Sequence, residues 1–196
     1  PFTDADGDGD ADLVLASPGW DGAEVDEGRC SIFLTNSSGP APLESWAVAG
    51  EQADARLRCR PGGDVDGDGF GDVLAFGPGW GEGADDAGRV AIFCGAIGLP
   101  STAPCWSWEP DQPGAALSDA AAVGDLNGDG ALDVAVSASG WDGAFVDEGA
   151  VFVFLGTGTG LPTEPDWEWT CGEDGCGAGG ASGLGDVDGD GFDDLL

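Results

Sequence analysis

The chain has 196 residues, of which 41% are hydrophobic, so it can bury a sizeable core and is not a disordered segment. It carries 38 acidic residues against five arginines, with no lysine or histidine, for a net charge of −33. Such a surface repels nucleic acid and anionic membranes, and no apolar run approaches the ~20 residues of a membrane helix. The chain opens at Pro1 without a signal peptide, and we expect a processed product or a window of a longer array.

Along the chain, one acidic nine-residue motif occurs four times, as DADGDGDAD (4–12), DVDGDGFGD (64–72), DLNGDGALD (125–133) and DVDGDGFDD (186–194). Successive copies start 60, 61 and 61 residues apart, so this is a repeat protein. If units are counted from one motif to the next, the predicted limits are 1–63, 64–124, 125–185 and 186–196. The first unit is predicted to lack its first strand, and the last is the start of a further unit.

Each unit runs through the same elements. A segment of small residues comes first, at 55–62, 115–124 and 179–185. After the acidic motif come an apolar strand (11–17, 72–77, 132–139), an acidic Gly-Trp loop (19–28, 79–88, 140–149) and a third strand (29–35, 89–95, 150–156). A tryptophan-bearing fourth segment closes the unit, at 43–50, 103–110 and 165–172.

Four short strands per ~60 residues are typical of a β-propeller blade. The gradient of side-chain size agrees, because blades converge on an axis and need slim inner strands and bulky outer ones. We therefore predict an all-β fold of about three four-stranded blades, the size of a half-propeller.

The acidic motif has the chemistry of a calcium loop. Acidic or amide residues stand at positions 1, 3, 5 and 9, with Gly at 4 and 6, so a tight turn points several oxygen atoms at one centre. Hard oxygen ligands in that number suit Ca²⁺, whereas Mg²⁺ keeps its waters. An EF-hand is excluded, because its Glu at position 12 is replaced by Leu15, Ala75 and Val136. The alternative for any single copy is an acidic, solvated Asp-Gly turn.

Up to four Ca²⁺ ions are predicted, each acting as a structural clip on a strand-to-strand turn. The predicted ligands are the side chains at positions 1, 3, 5 and 9 and the carbonyl group at position 7: Asp4, Asp6, Asp8, Asp10 and Asp12; Asp64, Asp66, Asp68, Phe70 and Asp72; Asp125, Asn127, Asp129, Ala131 and Asp133; Asp186, Asp188, Asp190, Phe192 and Asp194. Without metal, carboxylates this close together repel each other, so an unstable apo form is expected.

Taken together, these motifs resemble the FG-GAP repeats of integrin-α-like β-propellers. The resemblance lies in the D-x-[DN]-G-D-G-x-x-D loops, in the apolar strand ending in GPGW or SASGW, and in the strand GAVFVF at 149–154. It implies calcium loops between the first and second strands of each blade, and a propeller of about seven blades. The Phe-Gly pair that names the family is not recognisable ahead of the loops.

A second acidic set lies in the Gly-Trp loops: Asp21, Glu24, Asp26, Glu27, Glu82, Asp85, Asp86, Asp142, Asp147 and Glu148. Lining a ligand face or holding a cation is one interpretation, but capping of backbone amides in a solvated loop is favoured. Trp20, Trp80 and Trp141 are predicted to wedge between blades and not to stack on a sugar. No catalytic residue is predicted, because no His, Lys or Tyr accompanies the carboxylates, although catalysis by two carboxylates remains open.

Six cysteines without C-x₂-C spacing favour disulfides and an oxidising, extracellular or cell-surface compartment. Two pairs are favoured, across a tight turn and on consecutive strands respectively: Cys171 with Cys176, and Cys94 with Cys105. Cys30 and Cys59 are left to pair by elimination, and two free thiols are an equal alternative.

The sequence thus predicts a calcium-stabilised extracellular propeller segment that acts as a non-enzymatic binding or adhesion scaffold. One alternative is the propeller domain of a secreted carbohydrate-active enzyme or a lectin-like glycan binder, and another is a purely structural spacer. The expected partners are a second copy that closes the propeller or further blades of a longer chain, with a protein or glycan ligand. Nucleic acid and membrane insertion are not expected.

Overall fold

The computed structural model describes residues 2–82 and 86–196, and within them the predicted all-β class is confirmed. None of these residues forms a helix able to cross a membrane. The strands build three four-stranded antiparallel sheets and a C-terminal hairpin. In spatial order, the first sheet contains β1 (Phe2–Thr3), β2 (Asp12–Ser17), β3 (Arg29–Phe33) and β6 (Trp46–Ala49), and a small separate hairpin contains β4 (Thr35–Asn36) and β5 (Gly39–Pro40).

The other two sheets repeat this arrangement. The second sheet contains β7 (Arg58–Gly63), β8 (Asp72–Gly77), β9 (Arg89–Phe93) and β10 (Trp106–Trp108). The third sheet contains β11 (Leu117–Gly124), β12 (Asp133–Ala138), β13 (Ala150–Phe154) and β14 (Trp167–Thr170). The C-terminal hairpin pairs β15 (Gly183–Gly185) with β16 (Asp194–Leu195).

The prediction that the first unit lacks its first strand is wrong. Phe2 pairs with Leu13 and Thr3 with Asp12, so a two-residue β1 takes the first-strand position. Two residues are enough to form this strand because the acidic loop follows them directly and brings β2 back alongside them in the antiparallel direction. Each sheet therefore begins before its acidic loop, whereas the predicted unit limits, counted from loop to loop, separate the first strand from the other three.

The middle strands are apolar because both of their faces are covered. Every residue of β8 and β12 is buried. One core cluster joins the first sheet to the second, another joins the second to the third, and a smaller one joins the third to the C-terminal hairpin. The hydrophobic core therefore lies between successive sheets, as in a stack of blades.

Aromatic side chains join successive sheets in a repeating way. Trp46 of the first sheet meets Phe93 of the second edge-on, with ring centroids 5.3 Å apart. One repeat later, Trp106 meets Phe154 at 5.1 Å and Trp108 meets Phe152 at the same distance. A fourth-strand tryptophan thus packs on a third-strand phenylalanine of the following sheet, which accounts for the bulky outer segments in the sequence.

The Gly-Trp loops also contribute to these interfaces. Trp80 packs against the cluster between the first and second sheets, and Trp141 against the cluster between the second and third. The wedge interpretation is confirmed for both. Trp20 lies on the outer side of the first sheet instead, with the Arg29 guanidinium 4.6 Å from its ring centroid.

The two favoured disulfides are confirmed. One connects the end of the third strand to the start of the fourth in the second sheet, and the other closes a tight turn after β14: Cys94–Cys105 and Cys171–Cys176. Cys30 and Cys59 are buried thiols.

Candidate metal centres

Each acidic loop wraps around the carboxylate of its own first residue. Asp4 accepts hydrogen bonds from the N–H of Gly7 at 2.8 Å and from the N–H of Gly9 at 3.1 Å. The same arrangement surrounds Asp125 and Asp186. Both glycines of the first loop have left-handed backbones, with φ of 76° and 90°, a conformation that a side chain would strain. The Gly spacing in the motif is therefore a backbone requirement.

In three of the loops, carboxylates converge on one point. Oxygen atoms lie within 4.8 Å of one another in these groups: Asp4, Asp6 and Asp8; Asp64, Asp66 and Asp68; Asp186, Asp188 and Asp194. Bare negative charges this close repel, whereas a divalent cation among them would be bound by the hard oxygen atoms that Ca²⁺ prefers. The residues present therefore fit calcium.

The 125–133 loop is different. Asn127 stands at its third position, and its side-chain N–H₂ donates to Asp129 at 3.1 Å. This loop therefore brings one carboxylate fewer to the centre than its three counterparts.

The residues at position 7 were predicted as carbonyl ligands. Their N–H groups donate to the position-5 carboxylate of the same loop at 2.8–3.0 Å, which fixes their place in the turn: Asp10 to Asp8, Phe70 to Asp68, Ala131 to Asp129, and Phe192 to Asp190. In the last loop, Asp190 makes this contact but is not a member of the converging group.

The aspartate at position 9 also has a structural role. Asp12, Asp72 and Asp133 are fully buried. In the second sheet, Asp72 accepts from the N–H of Val65 within the loop at 2.7 Å and from the N–H of Gly95 at the end of β9 at 2.8 Å. Asp12 and Asp133 make equivalent pairs of hydrogen bonds. We call this residue the latch aspartate, because it fastens its loop to the third strand.

Burial and crowding shift the acidity of these groups. Burial raises the pKa of Asp72 to about 6 despite its two backbone hydrogen bonds, and it raises the pKa of Asp133 as well. For Asp6 and Asp66, burial is again the largest cause of a raised pKa, and neighbouring carboxylates add to it. Burial also acts on Asp125, but the N–H groups of its loop outweigh it and lower the pKa of that carboxyl. The Cys94 sulfur near Asp66 and Asp72 offers no thiolate, since it is in a disulfide.

Neighbouring loops contact each other. The N–H of Gly71 in the second loop donates to the carbonyl of Asp4 in the first at 2.7 Å, and Asp193 donates to Asp125 at 2.9 Å in the same way. The loops are thus joined in pairs across sheets. Sequence reasoning missed both this contact and the latch. A signal for the latch was present, because the residue that it holds always lies 23 positions after it.

Four members of the second acidic set cap backbone amides, the role favoured from the sequence: Asp21, Glu27, Asp142 and Glu148. Glu27 is buried and accepts from the N–H groups of Ala23 and Glu51 at 2.8 and 3.2 Å. Glu148 is its counterpart in the third sheet, with N–H donors from Phe145 and Gly172. Asp85 of this set lies outside the described residues.

The sheets and loops together define a class, that of β-propeller blades with an acidic loop between the first and second strands. The model of the FG-GAP repeat family matches residues 119–154. The chain therefore carries an FG-GAP repeat, and the resemblance inferred from its motifs is confirmed.

Among curated proteins, the chain is similar to the phosphatidylinositol-glycan-specific phospholipases D of Rattus norvegicus and Mus musculus. Identity is 35% in each case, over 143 and 141 residues respectively. Each match covers 68% of this chain and 17% of the relative, so the chain spans about a sixth of the length of those proteins.

Among solved structures, the chain is similar to rhamnogalacturonan lyase YesW, with a TM-score of 0.61 and 18% identity, and to the exotype rhamnogalacturonan lyase YesX, with a TM-score of 0.59 and 16% identity. Both similarities cover 100% of this chain, and they cover 38% and 37% of the two lyases. At these identities the likeness shows the fold.

Proposed function

We propose that the chain is a calcium-stabilised propeller segment of an extracellular protein and serves as a non-enzymatic binding or adhesion scaffold. The observation that supports calcium is the convergence of three carboxylates within 4.8 Å in each of three loops, and the scaffold role is supported by the FG-GAP repeat. Two disulfides support an oxidising compartment.

Calcium would act here through folding. The first, third and fifth residues of the first three loops, and the first, third and ninth of the last loop, would supply carboxylate or amide oxygens. The ion would neutralise charges that otherwise oppose closure of the turn. Because the ligands converge only in the folded chain, binding adds about 2.7 kcal/mol of stability per site at a hundredfold excess over Kd. The described loops join first to second strands, so filling them stabilises the sheets directly.

The test is thermal unfolding of metal-free protein with added Ca²⁺, Mg²⁺ or EDTA, together with metal analysis. We expect Ca²⁺ to raise the melting temperature by many degrees and Mg²⁺ to restore it poorly. Asp66→Ala should reduce the calcium effect, while the matched control Glu164→Ala, which removes an exposed charge away from the loops, should not. An unchanged melt in EDTA, with less than one Ca²⁺ per chain, would refute the calcium proposal.

A second candidate is a carbohydrate-binding or carbohydrate-active propeller. Its support is the likeness in fold to two rhamnogalacturonan lyases over the full length of this chain. A glycan array and an assay with rhamnogalacturonan as substrate separate the candidates. Saturable turnover would favour an enzyme, glycan binding without turnover a lectin-like module, and binding to proteins alone the adhesion scaffold.

A further inference from the structure

The packing of β3 on β7 is one of several equivalent contacts between successive sheets. In two of them the third strand of one sheet meets the inner strand of the next, β3 on β7 and β9 on β11, and in the last the third strand shares a cluster with the segment just before the C-terminal hairpin. Val90 of β9 shares a core cluster with Ala120 of β11, and β9 packs on β11. One repeat later, Val151 shares a cluster with Ala181. A branched aliphatic residue and an alanine therefore fill this contact in two of its three occurrences.

In the first occurrence both members of the contact are cysteines. Cys30 takes the place of Val90, since each lies opposite the third residue of its fourth strand. Cys59 takes the place of Ala120, since Cys59 pairs with Ala75 and Ala120 pairs with the equivalent residue of β12. At this one contact between sheets, both apolar residues of the equivalent contacts are therefore cysteines.

Both thiols are buried in the same cluster of apolar side chains. Cys30 is fully buried and Cys59 is 9% exposed, and both belong to the core cluster between the first and second sheets. The Cys59 thiol lies 3.4 Å from the carbonyl of Leu15. Burial raises the pKa of Cys30 well above its ordinary range, and the neighbouring Cys59 thiol raises it further.

We propose that Cys30 and Cys59 are redox partners whose disulfide cross-links the first sheet to the second. The oxidant is a low-molecular-weight disulfide such as oxidised glutathione. One cysteine thiolate attacks it, forming a mixed disulfide and releasing one glutathione thiolate. The second cysteine then displaces the other glutathione, so the protein pair loses two electrons and two protons and one glutathione disulfide becomes two thiols.

This cross-link differs from the two disulfides already present, since neither of those connects one four-stranded sheet to another. It adds a covalent bond between two sheets that the described residues otherwise join through side-chain packing and hydrogen bonds. Because the sulfurs are buried, exchange in the folded state is slow, and the bond forms as the sheets come together.

The test is to refold the full chain in a glutathione redox buffer with calcium and then alkylate it in denaturant without reductant. Intact mass and non-reducing peptide maps show which cysteines are paired. We expect no alkylated cysteine and a peptide that links Cys30 to Cys59. Two alkylated thiols at these positions beside the other two intact disulfides would overturn the proposal, as would pairing of either residue with another cysteine.

A matched variant, Cys30→Val with Cys59→Ala, restores the residues of the equivalent contacts and keeps both other disulfides. The oxidised natural chain should have a folding equilibrium constant on the order of 100-fold larger than this variant. Equal stability would contradict a cross-link. Because the mass measurement on the natural chain needs neither the variant nor bound calcium, failure of the calcium proposal would leave its result unchanged.

Discussion

The latch aspartate shows how one residue can serve a loop in two ways. The sequence presents it as the ligand that closes the calcium shell, whereas the structure shows its carboxylate holding N–H groups from two elements. Asp133 accepts from Leu126 at 2.7 Å and from Gly156 at 2.7 Å while fully buried. The hydrogen bonds of Asp133 therefore stabilise the fold even without metal. Removing this acceptor would leave two buried N–H donors unpaired.

Asp133→Asn should lower the free energy of unfolding by about 1–3 kcal/mol, even in EDTA, because an amide places its own N–H₂ against one of the donors. Asp166→Asn is the matched control, as Asp166 is exposed and accepts a single backbone hydrogen bond at 2.9 Å. Urea unfolding in EDTA measures both. Equal effects of the two substitutions would show that the latch adds nothing beyond an ordinary surface contact.

Glu148 predicts how the stability of the fold depends on pH. Burial raises the pKa of this carboxyl, but the N–H groups of Phe145 and Gly172 outweigh it and hold the pKa below its ordinary value of 4.5. Because the folded form binds the proton more weakly than the unfolded form, the carboxylate stabilises the fold above about pH 4.5 and loses this effect as the pH falls through the folded pKa.

The measurement is the stability of the natural chain and of Glu148→Gln between about pH 6 and about pH 3, a range of roughly one and a half pH units on each side of the ordinary Glu pKa. The advantage of the natural chain should be constant at the upper end and shrink below about pH 4.5. Glu168→Gln, at an exposed position, is the control and should show no such trend. A difference that does not change with pH would contradict the prediction.

At the scale of elements, most strands could be predicted from the sequence, because each type of strand occurs in several repeats and its pattern could be compared between them. The apolar segment at 72–77 coincides with β8, and the Trp-bearing segments contain β6, β10 and β14. Contacts that depend on the partner sheet could not be predicted this way. The hydrogen bond from Gly71 to Asp4 joins residues 67 positions apart, and neither strand periodicity nor loop chemistry specifies it.

The acidic loops should bind calcium with different affinities. Asn127 leaves the 125–133 loop with one negative charge fewer, so the 64–72 loop should fill first. Asn127→Asp should strengthen binding at the third loop, and the reciprocal Asp66→Asn should weaken the second, each by roughly tenfold, the change that about 1.4 kcal/mol produces. The amide resonances of Gly69 and Gly130 report each site in a calcium titration. Filling of the third loop before the second in the natural chain would contradict this order.

At the scale of the whole molecule, the described chain has two unlike ends. At one end, Trp167 and Trp169 of β14 are 48% and 47% exposed, although their counterparts in β10 pack on the following sheet. At the other end, Leu15 and Phe33 line an open groove beside Trp20. The tryptophan end and the phenylalanine end are the two halves of the contact that joins successive sheets. Further blades of a longer chain could supply the missing halves, and for the 196-residue chain alone a second copy could supply both.

We therefore expect a head-to-tail homodimer in calcium buffer. Two copies meeting at both ends form a closed ring with two-fold symmetry and leave no open sheet face. The C-terminal hairpin packs on β11, where the inner strands of a second copy would lie, so dimerisation requires its displacement. Deleting residues 183–196 should accordingly strengthen the dimer.

Light scattering with the natural chain, Trp169→Ala and Ile97→Ala decides the matter. Trp169→Ala removes an anchor from the proposed interface and should shift the mass toward the monomer. Ile97→Ala changes an 89% exposed apolar side chain in the loop between β9 and β10, away from the proposed faces, and should not. A natural chain that stays at 19.5 kDa at every concentration tested would refute the dimer, because its tryptophan face would then tolerate water without a partner.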